Sequence, residues 1–332
     1  MVKKRILSMD ILRALAIIAV ILIHVSALML GEASFNSKVY MQSLIINQLS
    51  RFSVPAFIAL SGVGLTMTYK ENQGYFKFLT KRLYKIVPRY ILWCAIYVFF
   101  ITKTFDIYTL SKDVIFGRVF YHLYYVPLIV EFYLVFPFIY RFIGSKVGLL
   151  ISFIITSVIL IGSHQYLFPE NWMWFLERKN MLDWIFYFSL GTFIGNNLEE
   201  FSQRLQKYKI VFSIIFVAAV SGFVYEVILN TNAGKNLDYT TTFLRPSVLI
   251  FTVALIFFIF SIDWKDNLFT KIMQYLSINS YGIYLSHAFI LYYFTKYYTD
   301  NNIPIASLNY GIKGFLITLF GAVVINASRK LP

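Results

Sequence analysis

Arg13 and His24 stand eleven residues apart in MDILRALAIIAVILIHVSALML, residues 9–30, a stretch otherwise apolar enough to cross a bilayer. Eleven steps of about 100° come to three turns within about 20°, so on a helix both side chains leave the same face, about 16 Å apart along the axis. One is a permanent cation. The other is an imidazole, whose reference pKa of about 6.5 suits it to taking and returning a proton near neutral pH. Asp10 precedes Arg13 by three residues, the spacing at which helical side chains meet, and an ion pair between them is expected. Taken singly, Arg13 and His24 could each snorkel to an interface. Two such residues on one face point rather to a shared polar interior, with a cation at one level and a titratable base at another.

The elements that must hold these groups are membrane helices. Of the 332 residues, 58% are hydrophobic, 19% aromatic and only 14% charged, the composition of an integral membrane protein. The net charge of +14 does not indicate nucleic acid, because the basic residues cluster in short loops where they face anionic lipid. Cys94 is the only cysteine and lies in an apolar run, so no disulfide framework or cysteine metal site is expected. The apolar run after Lys3, Lys4 and Arg5 is too long for a signal peptide and reads as a retained first helix.

With about 20 residues needed per span, about ten transmembrane helices are expected: 8–30, 44–69, 83–102, 117–142, 147–163, 182–198, 210–230, 244–262, 272–295 and 310–327. The expected fold is all-α and polytopic, a single transmembrane domain over residues 1–332. The run 117–142 contains Pro127 and Pro137 and should kink or break. Alternate loops carrying Lys70–Arg89, Arg141–Lys146, Arg204–Lys209 and Lys265–Lys271 hold, with the two ends, most of the 30 lysines and arginines. By the positive-inside rule both termini are cytoplasmic, which puts Arg13 in the inner third of the membrane and His24 in the outer third.

Other intramembrane polar groups need a reason as well. His122 and His287 map to outer portions of helices and His164 to a loop, with Tyr284 three residues before His287 on the same face. Arg51 is expected to begin the second helix at its outer end, snorkelling or facing an anionic or hydroxylated acceptor. Glu131, midway along the fourth helix, would want Arg13, Arg51 or a histidine as partner. Ser61-Gly62 and Gly282 suit close helix packing. HExxH, GxSxG and Walker-type patterns are absent, and so is any visible internal repeat, leaving metal hydrolysis, an esterase elbow and ATP-driven transport without support.

Arg13 with ten residues and then His24 resembles the first-helix signature of the acyltransferase type 3 family of membrane O-acyltransferases. RFSVPAFIALSGVGL (51–65), FLTKRLYKIVPRY (78–90), HLYYVPLIVEFYLVFP (122–137), FYFSLGTFIG (186–195) and LSINSYGIYLSHAFIL (276–291) follow in family order. Where the family carries paired arginines in its basic loop, this chain has Arg82 and Lys85, a fork and a point charge.

The resemblance implies transfer of an acetyl or succinyl group from a cytoplasmic acyl-CoA onto a hydroxyl of a cell-surface or lipid-linked polysaccharide, in a bacterial cell membrane. Acyl-CoA is then a co-substrate, with no bound cofactor or metal. The partners are membrane lipid, a glycan acceptor and other polysaccharide-synthesis membrane proteins. Lys81, Arg82, Lys85 and Arg89 would hold the CoA phosphates, although such a cluster also serves topology and anionic lipid. A sugar hydroxyl needs a base as it attacks the thioester. His24 is the first choice and His287 the second, for base or acceptor orientation. Arg13, Tyr284 and Ser280 are candidate oxyanion donors, and Arg13 could instead grip the donor. WIFYFSLGTFIGNNLE (184–199) resembles the subgroup named as poly-N-acetylglucosamine exporters, so export of a surface polysaccharide is the alternative. The paired Arg13 and His24 favour the enzyme, since a glycan channel has no need of a base aligned above a cation.

Overall fold

A computed structural model describes residues 6–165, 167–169 and 180–327. Among these, every regular element is helical. In chain order they are α1 (Leu7–Glu32), α2 (Lys38–Leu49), α3 (Ser53–Thr66), α4 (Tyr75–Tyr97, running on as a π turn to Thr102), α5 (Ile107–Phe116), α6 (Tyr125–Ile143), α7 (Lys146–His164), α8 (Met181–Asn196), α9 (Leu198–Lys207), α10 (Lys209–Asn232), α11 (Leu237–Thr241), α12 (Pro246–Ser261), α13 (Leu268–Asp300) and α14 (Leu308–Ile325).

Eight helical stretches among the described residues are long and apolar enough to cross a membrane: Leu7–Glu32, Lys38–Thr66, Tyr75–Thr102, Tyr125–Ile143, Lys146–His164, Lys209–Asn232, Leu237–Ser261 and Leu308–Ile325. The other two expected spans are also helices but fall outside that set. α8 has 16 residues, and α13, with 33, is diluted by polar residues such as Ser277, Asn279, Ser280 and His287. The run expected at 117–142 breaks before its first proline: Gly117 ends α5 in the left-handed conformation, and α6 begins only at Tyr125. His164, expected in a loop, is the last residue of α7 and is buried.

Two spans are interrupted, each for a visible reason. Proline cannot stand in a helix interior without losing a hydrogen bond and clashing with the carbonyl four residues back, but it is accepted in the first turn. Pro55 therefore sits in the first turn of α3, and the chain turns at 50–52 between α2 and α3, where the Ser50 hydroxyl bonds back to the Ile46 carbonyl at 2.7 Å. Pro246 likewise opens α12, after a non-helical link from α11. Each interruption carries a buried arginine, Arg51 at 8% exposure and Arg245 at 0%. Arg51 thus lies inside its span and not at the outer end of a helix.

By contacts the chain divides into two compact units, residues up to 57 with those from 199 on, and residues 58–198. In the first, α1 is the hub, packing against α2, α12, α13 and α14. It runs parallel to α13, since Asp10 meets Ser277 and His24 meets His287, and antiparallel to α2, since Leu30 clusters with Tyr40 and Leu44 while Ile23 meets Asn47. α13 and α14 form an antiparallel pair, with Thr295 against Tyr310 and Ser286 against Asn326. Small or branched residues at the contact, Ala14, Ile17 and Ile21 on α1 and Ile283 and Ala288 on α13, are completely buried.

In the second unit α6 packs on α4, α7 and α8, and α7 on α8. Thr156 stitches α7 to α8, donating to the Leu182 carbonyl and accepting from Phe186 N–H, each at 3.2 Å. Glu71, in the turn before α4, pairs with Arg141 and accepts from the Tyr140 hydroxyl. That hydroxyl, with Arg141 second, holds its carboxyl below the usual range. α3 and α8 touch through glycine: a Cβ on Gly191 would run into the Ala59 carbonyl and one on Gly62 into the Phe188 carbonyl. Gly191→Ala should therefore force the α3 and α8 backbones apart and destabilise the protein by about 1–3 kcal/mol. Thermal unfolding in detergent reads this, and an unchanged midpoint would show that the contact is not needed.

Candidate functional site

The polar groups of the first unit lie in levels along α1. Near its start, Ser277 Oγ donates to Asp10 Oδ1 at 2.6 Å and accepts from Arg13 Nη1 at 3.4 Å. The hydroxyl of α13 thus joins the two charged residues of α1. Asp10 and Ser277 are buried and Arg13 is half-buried. Ser280 donates to the Ser277 carbonyl at 2.9 Å, so its hydrogen is already engaged.

Further along, the imidazoles of His24 and His287 stack, centroids 5.3 Å apart and planes 24° from parallel. Their burial differs: His287 is wholly enclosed, while His24 is half-buried. His287 Nδ1 lies 2.7 Å from the Tyr284 carbonyl oxygen and 3.3 Å from that of Ile283. A carbonyl can only accept, so Nδ1 carries the hydrogen and Nε2 is the basic nitrogen. Tyr284 is buried beside the pair, its ring 6.1 Å from that of His287. α14 seals the same stretch of α13: a Cβ on Gly282 would collide with Asn326, whose amide donates to Ser286 Oγ at 3.0 Å.

Beside this pair lies a polar network that sequence reasoning missed apart from Arg51. Asn47 Nδ2 donates to the carbonyl of Ile23, the residue before His24, at 3.0 Å, and to Ser26 Oγ at 3.1 Å. Asn47 Oδ1 accepts from Arg51 Nη2 at 2.8 Å and from Gln48 Nε2 at 3.0 Å. Gln48 Oε1 accepts from Arg245 Nη2 at 2.8 Å, and Arg245 pairs with Glu226 at 3.7 Å. Each guanidinium lies over an aromatic ring, Arg51 at 4.3 Å from the Phe243 centroid and Arg245 at 4.9 Å from that of Phe223. The available signal was LRP at 244–246, an arginine fixed by a following proline inside an apolar run.

The second unit holds the basic row. α4 begins eight residues before its expected start at 83, so Lys81 and Arg82, expected ahead of the helix, ride on it together with Lys85 and Arg89. Lys81, Lys85 and Arg89 are exposed at four-residue spacing, whereas Arg82 is half-buried, donates to Thr68 Oγ1 and lies 5.6 Å from the Phe78 ring centroid. Glu131 is exposed on α6 and makes no ion pair among the described residues, so the partner expected for it is not there. His122 is buried among Tyr97, Phe120 and Tyr121. Among the described residues no cluster of three or more histidine, cysteine or acidic side chains is placed to hold a metal.

A family model of the type 3 acyltransferase domain matches residues 6–327, nearly the whole chain. The chain belongs to this acyltransferase family, and it is a membrane acyltransferase. A Staphylococcus aureus (strain MRSA252) protein designated a poly-β-1,6-N-acetyl-D-glucosamine export protein is 26% identical over 92% of this chain and 89% of its own. A Staphylococcus epidermidis protein of the same designation is 26% identical over 92% and 88%. A Bacillus subtilis (strain 168) protein designated the membrane-bound acyltransferase YfiQ is 24% identical over 84% and 79%. No solved structure matches.

Proposed function

We propose that the protein transfers an acetyl or succinyl group from a cytoplasmic acyl-CoA to a hydroxyl of a cell-surface or lipid-linked polysaccharide, in the cell membrane beside other proteins of polysaccharide synthesis. The observation that carries this reading is the His24–His287 pair: one imidazole half-open, the other enclosed and held by backbone carbonyls. In the reaction the sugar oxygen attacks the thioester carbonyl while His24 takes the hydroxyl proton. A C–O bond forms, the C–S bond breaks, and the imidazolium returns the proton to the departing CoA thiolate. His287 backs the His24 ring, and Tyr284 is buried beside it. Arg13, joined to Asp10 through Ser277, supplies positive charge to the tetrahedral oxyanion or to the donor. Lys81, Arg82, Lys85 and Arg89 hold the CoA phosphates through charge-assisted hydrogen bonds.

Export of a poly-N-acetylglucosamine-type polysaccharide is the second reading, favoured by the designation of the staphylococcal relatives. One experiment separates the two. Protein purified in detergent, given acetyl-CoA or succinyl-CoA and poly-β-1,6-N-acetylglucosamine, should release CoA thiol only when the glycan is present. No release with either donor, together with glycan movement across vesicles holding the protein, would favour export.

A further inference from the structure

The network beside the histidine pair is larger than packing requires. An apolar set of side chains would fill the same space without burying two guanidinium groups. Its hydrogen bonds also run one way: Arg245 donates to Gln48, Gln48 to Asn47, and Asn47 to the carbonyl of Ile23. Asn47 has two acceptor lone pairs and two N–H donors, and all four are used. Turning its amide over would face an NH2 group toward two donors and an oxygen toward a carbonyl. Its orientation is therefore single-valued. Ser26, which accepts from Asn47, bonds back to the Leu22 carbonyl at 2.6 Å and to that of Ile23 at 3.1 Å. Asn47 on α2 thus grips α1 at two points on either side of His24, the Ile23 carbonyl and the Ser26 hydroxyl.

We infer that Asn47, Gln48 and Arg245 are positioning residues for acyl transfer, fixing the rotation of α1 about its axis so that His24 presents its basic nitrogen to the acceptor hydroxyl. Successive helical residues project about 100° apart, so a small turn of α1 swings the imidazole sideways, away from His287 and from the attacking oxygen. Arg245 is the distal anchor, tied to Glu226 and stacked on Phe223. Arg51 loads the same Asn47 oxygen, so a second guanidinium helps to hold that amide in place. The inference rests on His24 acting as the base.

The test compares Asn47→Leu, Gln48→Met, Arg245→Met and Arg245→Lys with the parent, using acetyl-CoA or succinyl-CoA with poly-β-1,6-N-acetylglucosamine and reading CoA release. Asn47→Leu and Arg245→Met should lower kcat ten- to a hundredfold with the acyl-CoA KM within twofold. Arg245→Lys, which keeps a donor for Gln48 and the charge facing Glu226, should recover at least a third of the parent kcat. A raised donor KM with unchanged kcat, or equal loss in Arg245→Lys and Arg245→Met, would overturn the inference. Should Asn47→Leu fail to fold, Gln48→Met breaks the same chain one link further off and is judged by the same split. Carbethoxylation of His24 by diethyl pyrocarbonate, followed by mass spectrometry, needs no activity at all. Its rate should change at least threefold in Gln48→Met, and an unchanged rate would sink the positioning role. Activity surviving in His24→Ala would instead sink the base assignment, so the two failures are told apart.

Discussion

His24→Ala is expected to lower acyl transfer by about 10²–10⁴-fold, the usual contribution of a general base. The protein should still insert and fold, because His24 is only half-buried and removing a polar side chain from an apolar helix does not hinder its insertion. His24→Gln should be nearly as inactive, since an amide can hold a hydrogen bond but cannot accept the hydroxyl proton at neutral pH. CoA release against glycan concentration measures this, with the elution profile in detergent as the folding control. If His24→Gln kept most activity, His24 would be a packing residue and His287 would become the leading base. Burial weighs against that outcome, because the His287 side chain has no exposed surface.

The second large effect is expected at the basic row of α4. Replacing Arg82 and Lys85 together with Ala should raise the acyl-CoA KM roughly ten- to a hundredfold, because charged hydrogen-bond partners of phosphate are lost, and should leave the glycan KM nearly unchanged. The two residues do not stand equally. Arg82 is anchored by Thr68 and lies near the Phe78 ring, so its fork is pre-set, while Lys85 is exposed and free to follow a phosphate. Arg82→Ala alone should therefore account for most of the change. Initial rates over a range of acetyl-CoA or succinyl-CoA concentrations decide it, and an unchanged donor KM would assign the row to membrane topology.

What could be read from the sequence was local. Arg13 and His24 share a face because eleven residues of any helix bring them there, and their alignment with Ser277 and with His287 on one neighbouring helix fits that reading. The helical class followed from composition in the same way. Facing was not legible. α6 is apolar nearly all round, so nothing in its pattern said that Glu131 would be exposed, and Arg51 looked terminal because the interruption depends on Pro55, four residues on. The Asn47 network was out of reach for a stronger reason. Its Gln48–Arg245 bond joins residues 197 apart, and amide side chains near apolar runs carry no pairing signal.

The two interrupted spans also bear on how the chain enters the membrane. An arginine at the centre of a span costs about 2.5–3.5 kcal/mol on insertion scales, and Arg51 is synthesised long before Phe243 and Arg245 exist to receive its stretch of chain. During synthesis the Lys38–Thr66 segment carries that cost with only α1 and its own Asn47 for company. His24 likewise waits for His287, on α13, before its pair exists. A chain halted before α13 would therefore hold His24 and lack His287, so on the proposed function the site is completed only when α13 arrives.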